Sequence, residues 1–171
     1  MTRPLTILTV CLGNICRSPT AEAAIREAAG AVGLELNVRS AGTGSWHLGD
    51  PPDTRMRATA SQVGLTIDGA AERVDPTAIA EADLVLAMDR SNLADLQKMA
   101  GAAGLDTPLV LFRAFDPQGS PDAEVPDPYY GRADRFAEVV EICRRSAEVL
   151  VGHLAAGGVD AALATRDPAS P

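Results

Sequence analysis

A cysteine and an arginine separated by five residues, Cys11 and Arg17, stand between an apolar run and a helix-opening pair, and this arrangement limits the chain more than any other feature. The run Leu5-Thr6-Ile7-Leu8-Thr9-Val10 reads as a buried strand, and Ser18-Pro19 offers an N-cap followed by proline at the first helical position. Apolar Ala21, Ala24, Ile25 and Ala28 then follow at helical spacing. The segment therefore predicts strand, short loop and helix, with Cys11-Leu12-Gly13-Asn14-Ile15-Cys16-Arg17 in the loop. A loop wrapped over a helix start turns successive backbone N–H groups inward, and the helix dipole adds partial positive charge, so the concavity suits a phosphate dianion. Gly13 is expected to take backbone angles that other residues resist. Arg17 brings planar, paired donors for two phosphoryl oxygens, which a lysine cannot match. The same surroundings favour a Cys11 thiolate, since comparable sites bring a cysteine from about 8.5 to roughly 3.5–7.5. Asn14 is expected to hold the loop through side-chain hydrogen bonds, and Ser18 to cap the helix and face the sulfur.

The rest of the chain organises around this segment. Further strands are expected at Leu36 to Ser40, Asp83 to Met88 and Pro108 to Phe112, separated by helical patterns around Asp53 to Val63 and Arg90 to Ala100. Strands alternating with helices predict a parallel sheet covered on both faces. Phe136, Val139, Val140, Cys143, Ala147, Leu150, Val151 and Leu154 fall on one stripe of a long last helix, which makes Cys143 a core residue. The length of 171 residues suits one domain over 1–156, followed by a mobile tail over 157–171 that begins at Gly157-Gly158.

Composition removes several classes. A net charge of −8 argues against an extended nucleic-acid surface. No stretch approaches the roughly 18 apolar residues of a membrane span, and the start lacks a signal-peptide pattern, so a cytoplasmic protein with no membrane partner is expected. Three cysteines, an odd number, make no disulfide framework. No cluster of metal-ligand spacing is present in the sequence, and neither metal nor cofactor is expected. Of the 15 basic residues all but Lys98 are arginine, a usage associated with GC-rich, here bacterial, genomes.

Cys11 to Ser18, with Gly13-Asn14-Ile15-Cys16-Arg17-Ser18 inside it, resembles the phosphate loop of the low-molecular-weight protein tyrosine phosphatases. Asp127-Pro128-Tyr129-Tyr130-Gly131 resembles a second motif of that family, and Ser40-Ala41-Gly42-Thr43-Gly44-Ser45-Trp46-His47 a third, so the likeness runs from about Leu5 to Leu154. The resemblance implies a flavodoxin-like three-layer α/β sandwich with a four-stranded parallel sheet and the phosphate loop after the first strand. It also departs from the family pattern, because many relatives carry a histidine near Gly69 where this chain reads Asp68-Gly69-Ala70-Ala71-Glu72-Arg73.

The implied activity is hydrolysis of phosphotyrosine in proteins, and of small aryl phosphates, through a phosphocysteine. Cys11 is the expected nucleophile, Arg17 the phosphate clamp and Asp127 the general acid and base. Leu12, Gly13, Asn14, Ile15, Cys16 and Ser18 are expected around the phosphate, and Trp46, Tyr129 and Tyr130 around the ring. His47 receives no role, and Asp89 reads as a helix cap. Three other readings were open: an arsenate reductase, disfavoured because no cysteine lies between Arg17 and Cys143; a phosphoarginine phosphatase; and a phosphate-binding redox module using Cys11 and Cys16.

Overall fold

The structure is a computed structural model that describes residues 2–165. Its sheet contains β1 (Leu5–Cys11), β2 (Leu36–Gly42), β3 (Leu84–Ala87) and β4 (Leu109–Leu111), all parallel, in the order β2-β1-β3-β4. The connections are α1 (Arg17–Val32), α2 (Thr54–Gln62), α3 (Pro76–Glu81) and α4 (Arg90–Ala102), and α5 (Ala133–Ala164) closes the chain. This is the flavodoxin-like arrangement expected from the sequence. The order reverses beside β1, so the carboxyl end of β1 opens at the switch point where ligands of such sheets bind.

Parallel strands buried on both faces need apolar residues on both, and β1 supplies them. Ile7 joins the core under α1, α2 and α5, whereas Leu8 and Val10 join the core under α3 and α4. The α5 stripe forms as its period predicts: Phe136, Val139, Cys143, Ala147 and Leu150 are all buried. By length and apolarity α5 could cross a bilayer, but this face is taken up by the core.

Two local expectations are corrected. Ser18 is not the N-cap of α1; the helix begins at Arg17 with Cys16 in the capping position and no side-chain cap, because the Ser18 hydroxyl turns towards the loop interior. The chain after Gly157 is not an unpacked tail as far as Ala164. Gly157 and Gly158 break the helix, Gly158 at φ 69°, and the helix then resumes with Ala162 fully buried and Val159 and Leu163 packed on the core. Those three residues lie at helical spacing, which explains the burial. The remainder of the expected tail, 166–171, falls outside the described residues.

The segment between β4 and α5 is braced by a buried carboxylate. After the short 3₁₀ turn Phe112–Phe115, Asp116 accepts from Arg145 Nε at 2.9 Å, Arg145 Nη2 at 3.1 Å, Arg113 Nε at 3.2 Å and the Gln118 amide at 3.0 Å. Arg113 in turn donates to the Glu124 carbonyl at 2.9 Å, and the Val125 amide to the Met88 carbonyl at 2.8 Å. The loop that carries Asp127 is thereby tied to the end of β3. Burial alone would raise the Asp116 carboxyl, but the bonds from Arg145, the Gln118 amide and Arg113 outweigh it and hold its pKa below the ordinary value. Replacing Asp116 by Asn leaves two arginines facing a neutral group and is expected to cost about 3 kcal/mol in chemical denaturation at pH 7. Because the folded pKa is depressed, the difference between parent and variant is full above roughly pH 4 and shrinks as the pH falls through the lower folded value.

Candidate active site

Residue by residue, the loop after β1 is organised around the Cys11 sulfur. The Asn14 amide lies 3.2 Å from Cys11 Sγ, and the Ser18 hydroxyl lies 3.0 Å from it. Asn14 Nδ2 donates to Ser18 Oγ at 2.8 Å and to Ser40 Oγ at 3.0 Å, while its Oδ1 accepts from the Glu72 amide at 2.9 Å. Since Asn14 donates to Ser18 Oγ, the single Ser18 proton is left for the sulfur or for the Ala41 carbonyl, 3.4 Å away, and the sulfur is the nearer acceptor. The Glu72 amide thus ties the loop's asparagine to the segment from Asp68 to Arg73. The loop's backbone angle is also not where the sequence suggested. Among the described residues Asn14, at φ 56°, is the one non-glycine residue with positive φ, whereas Gly13 is not among the glycines with positive φ. At Gly13 space is short instead: a Cβ there would sit 3.2 Å from His47 Cδ2, so the His47 ring would have to give by a few tenths of an ångström.

Arg17 is buried, with its side chain 4% exposed. Its Nη1 donates to Asp89 Oδ2 at 2.6 Å and to the Val125 carbonyl at 3.2 Å, and its Nη2 reaches Asp127 Oδ2 at 3.4 Å. Burial works against its charge, and Cys11, Asp89 and Asp127 outweigh that and raise its pKa. Asp89 is the functional residue that sequence reasoning undervalued. Its Oδ1 caps α4 by accepting from the Asn92 amide at 2.7 Å, as expected, while its second oxygen holds Arg17. An aspartate directly after a strand at the carboxyl edge of the sheet was the available signal.

A cavity of about 400 Å³ opens over this loop, lined by Cys11, Leu12, Gly13, Ile15, Cys16, Arg17, Trp46, His47, Asp127, Tyr129 and Tyr130. Asn14 and Ser18, expected around the phosphate, are not in that lining; they stand behind the loop and hold it. The Trp46 ring lies against Gly44, where a Cβ would come within 2.1 Å of Cζ3. Tyr129 meets Tyr130 edge to face at 4.9 Å between ring centroids, and Tyr130 is almost fully exposed. His47, left without a role on sequence grounds, joins the lining 6.0 Å from the Tyr129 ring, with Nδ1 3.3 Å from Asp50. Asp127 Oδ1 accepts from the Tyr129 amide at 3.1 Å, so the turn-forming and cavity-facing readings of this aspartate both apply. Burial, then Asp53, Cys11 and Asp127, push the Cys16 thiol well above the ordinary range.

The fold thus sets the loop from Cys11 to Arg17 at the switch point of a parallel sheet, with the Asp127 carboxylate beside Arg17. Residues 6–159 match the family model described as low molecular weight phosphotyrosine protein phosphatase. The chain is 40% identical over 136 residues to the low molecular weight protein-tyrosine-phosphatase of Streptomyces coelicolor, covering 78% of this chain and 83% of that one. It is 37% identical to YfkJ of Bacillus subtilis over 88% of this chain and 96% of that one. The structure superposes on that of a protein tyrosine phosphatase from Entamoeba histolytica with a TM-score of 0.84 and 33% identity, covering 90% of this chain and 98% of the other. The chain belongs to the low-molecular-weight protein tyrosine phosphatases and is a hydrolase of that family.

The loop's dependence on Asn14 is testable in two parts. Asn14→Ala loses three side-chain hydrogen bonds and leaves an alanine in the left-handed region, whereas Asn14→Gly loses only the bonds. Both variants are expected to unfold at lower denaturant than the parent, with the glycine variant the more stable of the two by about 1 kcal/mol.

Proposed function

We propose that this phosphatase hydrolyses phosphotyrosine in proteins by way of a phosphocysteine at Cys11, with Arg17 clamping the phosphoryl group and Asp127 transferring the proton. The observation that carries this reading is the meeting, in one cavity with aromatic walls, of a sulfur held among hydrogen-bond donors, a buried arginine and a carboxylate 3.4 Å from that arginine.

In the first step Cys11 Sγ attacks phosphorus opposite the ester oxygen. The S–P bond forms as the P–O bond to the aryl group breaks, and the proton of the Asp127 carboxyl goes to the departing phenolate. Phenols have a pKa near 10, so protonating the leaving oxygen lowers the barrier substantially. Arg17 and the loop amides hold the non-bridging oxygens as charge develops. In the second step the Asp127 carboxylate takes a proton from water, whose oxygen bonds to phosphorus while the S–P bond breaks. Inorganic phosphate and the original thiolate result. The Ser18 hydroxyl, 3.0 Å from the sulfur, is oriented to donate to the thiolate as it leaves. The steps require no metal.

Trp46, Tyr129 and Tyr130 supply flat apolar surface at the cavity mouth, which suits an aryl ring carrying the phosphate. All three described cysteines are free thiols, which fits work in the reducing cytoplasm.

The test is hydrolysis of a series of aryl phosphates with graded leaving-group pKa, in chelator, for the parent, Cys11→Ser and Asp127→Asn. Cys11→Ser should be inactive throughout. Asp127→Asn should lose on the order of 100-fold or more in kcat/KM, which covers only phosphocysteine formation, with the poorest leaving groups and progressively less with better ones. An inert but folded parent, or an active Cys11→Ser, overturns the reading.

A further inference from the structure

Asp127 is held loosely for a group that must deliver a proton along one line. Its side chain is 45% exposed, its Arg17 contact is 3.4 Å long, and its other bond is a local one from the Tyr129 amide at 3.1 Å. Val125 ties the chain just before Asp127 to the end of β3 and to Arg17, so the Asp127-to-Tyr129 turn is set on its other side by what holds Tyr129. Its ring faces an arginine: the Arg55 guanidinium carbon lies 5.4 Å from the Tyr129 ring centroid and 4.8 Å from that of Phe136, a buried residue of α5.

Arg55 itself is fixed from the other side. Its Nε and Nη2 donate to the two oxygens of Asp53 at 3.2 and 2.9 Å, a fork that raises the arginine's pKa. Asp53 caps α2 by accepting from the Arg55 amide at 2.8 Å and the Met56 amide at 3.3 Å, and its own amide donates to the Ile15 carbonyl at 2.8 Å. A continuous path thus runs from the phosphate loop at Ile15 through Asp53 and Arg55 to Tyr129 and Asp127. An exposed ion pair alone would contribute little. A guanidinium whose fork is pre-set by a carboxylate and whose face meets two rings is a positional constraint as well as a charge.

We infer that Arg55 is a positioning residue that latches the Asp127 turn to the phosphate loop through the Tyr129 ring, so that the proton-transfer geometry is preset. The inference rests on the reading of Asp127 as the proton donor. Arg55 reaches no reacting atom itself; it acts through Tyr129. Losing it should slow those substrates whose leaving oxygen needs a proton and should spare the phosphate loop.

The experiment compares Arg55→Ala, Arg55→Lys and Asp127→Asn across the same graded aryl phosphates. Alkylation of Cys11 by iodoacetate is followed against pH, and thermal unfolding of each variant is recorded. Arg55→Ala is expected to lose about tenfold in kcat/KM, which reports phosphocysteine formation alone, with phenols of pKa near 10 and less than about twofold with good leaving groups, with the alkylation profile unchanged. Arg55→Lys keeps the charge and stem but not the fork, and should fall between Arg55→Ala and the parent. It also carries the comparison if Arg55→Ala does not fold. A loss by both Arg55 variants that is uniform across the series, or no loss, beside a graded loss in Asp127→Asn, overturns the latch alone. A flat response in Asp127→Asn overturns the proton-donor reading and the latch with it.

Discussion

The arrangement at the mouth of the sheet depends on a single buried charge. Arg17 stays charged at 4% side-chain exposure, a state that is costly without counter-charges and acceptors, and these come from two distant parts of the chain. Asp89 stands at the start of α4, the Val125 carbonyl in the segment braced by Asp116, and Asp127 two residues beyond. Satisfying one guanidinium therefore brings together the loop after β1, the end of β3 and the late loop before α5. Contacts 72, 108 and 110 residues away in sequence converge on one side chain. The flavodoxin-like sheet makes this possible by setting β1 beside β3, so that their carboxyl ends open in the same direction.

Features carried by a local period were mostly legible in the sequence, and those that depend on a distant partner mostly were not. β1, the following loop and α1 were legible because the apolar run, the turn and the helical period lie within thirty-two residues of the amino terminus. The α5 stripe was legible for the same reason, up to Leu154. The short helical return after Gly158 was missed although Val159, Ala162 and Leu163 have the right spacing, because two adjacent glycines read as an end. Gly13 and Asn14 exchanged parts. Residue type pointed to glycine for the unusual backbone angle, but Asn14 is tolerated in the left-handed region, where its side chain holds two serine hydroxyls and a backbone amide. Arg55 gave no signal at all. Its significance comes from two rings, Tyr129 and Phe136, that only the folded chain brings near.

An overall charge of −8 and a site for a phosphate dianion are compatible because the positive character is confined to a small volume. Arg17 and the amino end of α1 face the cavity, while many of the other arginines are paired: Arg3 with Asp83, Arg26 with Glu22, Arg144 with Glu27, and Arg113 and Arg145 with Asp116. Pairing on the outside keeps those cations from offering a competing anion surface, so an approaching phosphoryl group meets its concentrated positive charge at the loop.

The two aspartates beside Arg17 differ in a way that matters once a phosphoryl group enters. Asp89 is 21% exposed, binds at 2.6 Å and is also committed to capping α4, so moving it would uncap a helix as well as bare a charge. Asp127 is 45% exposed and reaches the other guanidinium nitrogen at 3.4 Å, a contact weak enough to be exchanged. A phosphoryl oxygen that replaces Asp127 on Nη2 gains a charge-assisted bond and at the same time frees the carboxylate. On the proposed reading, the substrate itself displaces Asp127 from Arg17 and leaves the carboxyl free to face the leaving oxygen, while Asp89 keeps the arginine in place.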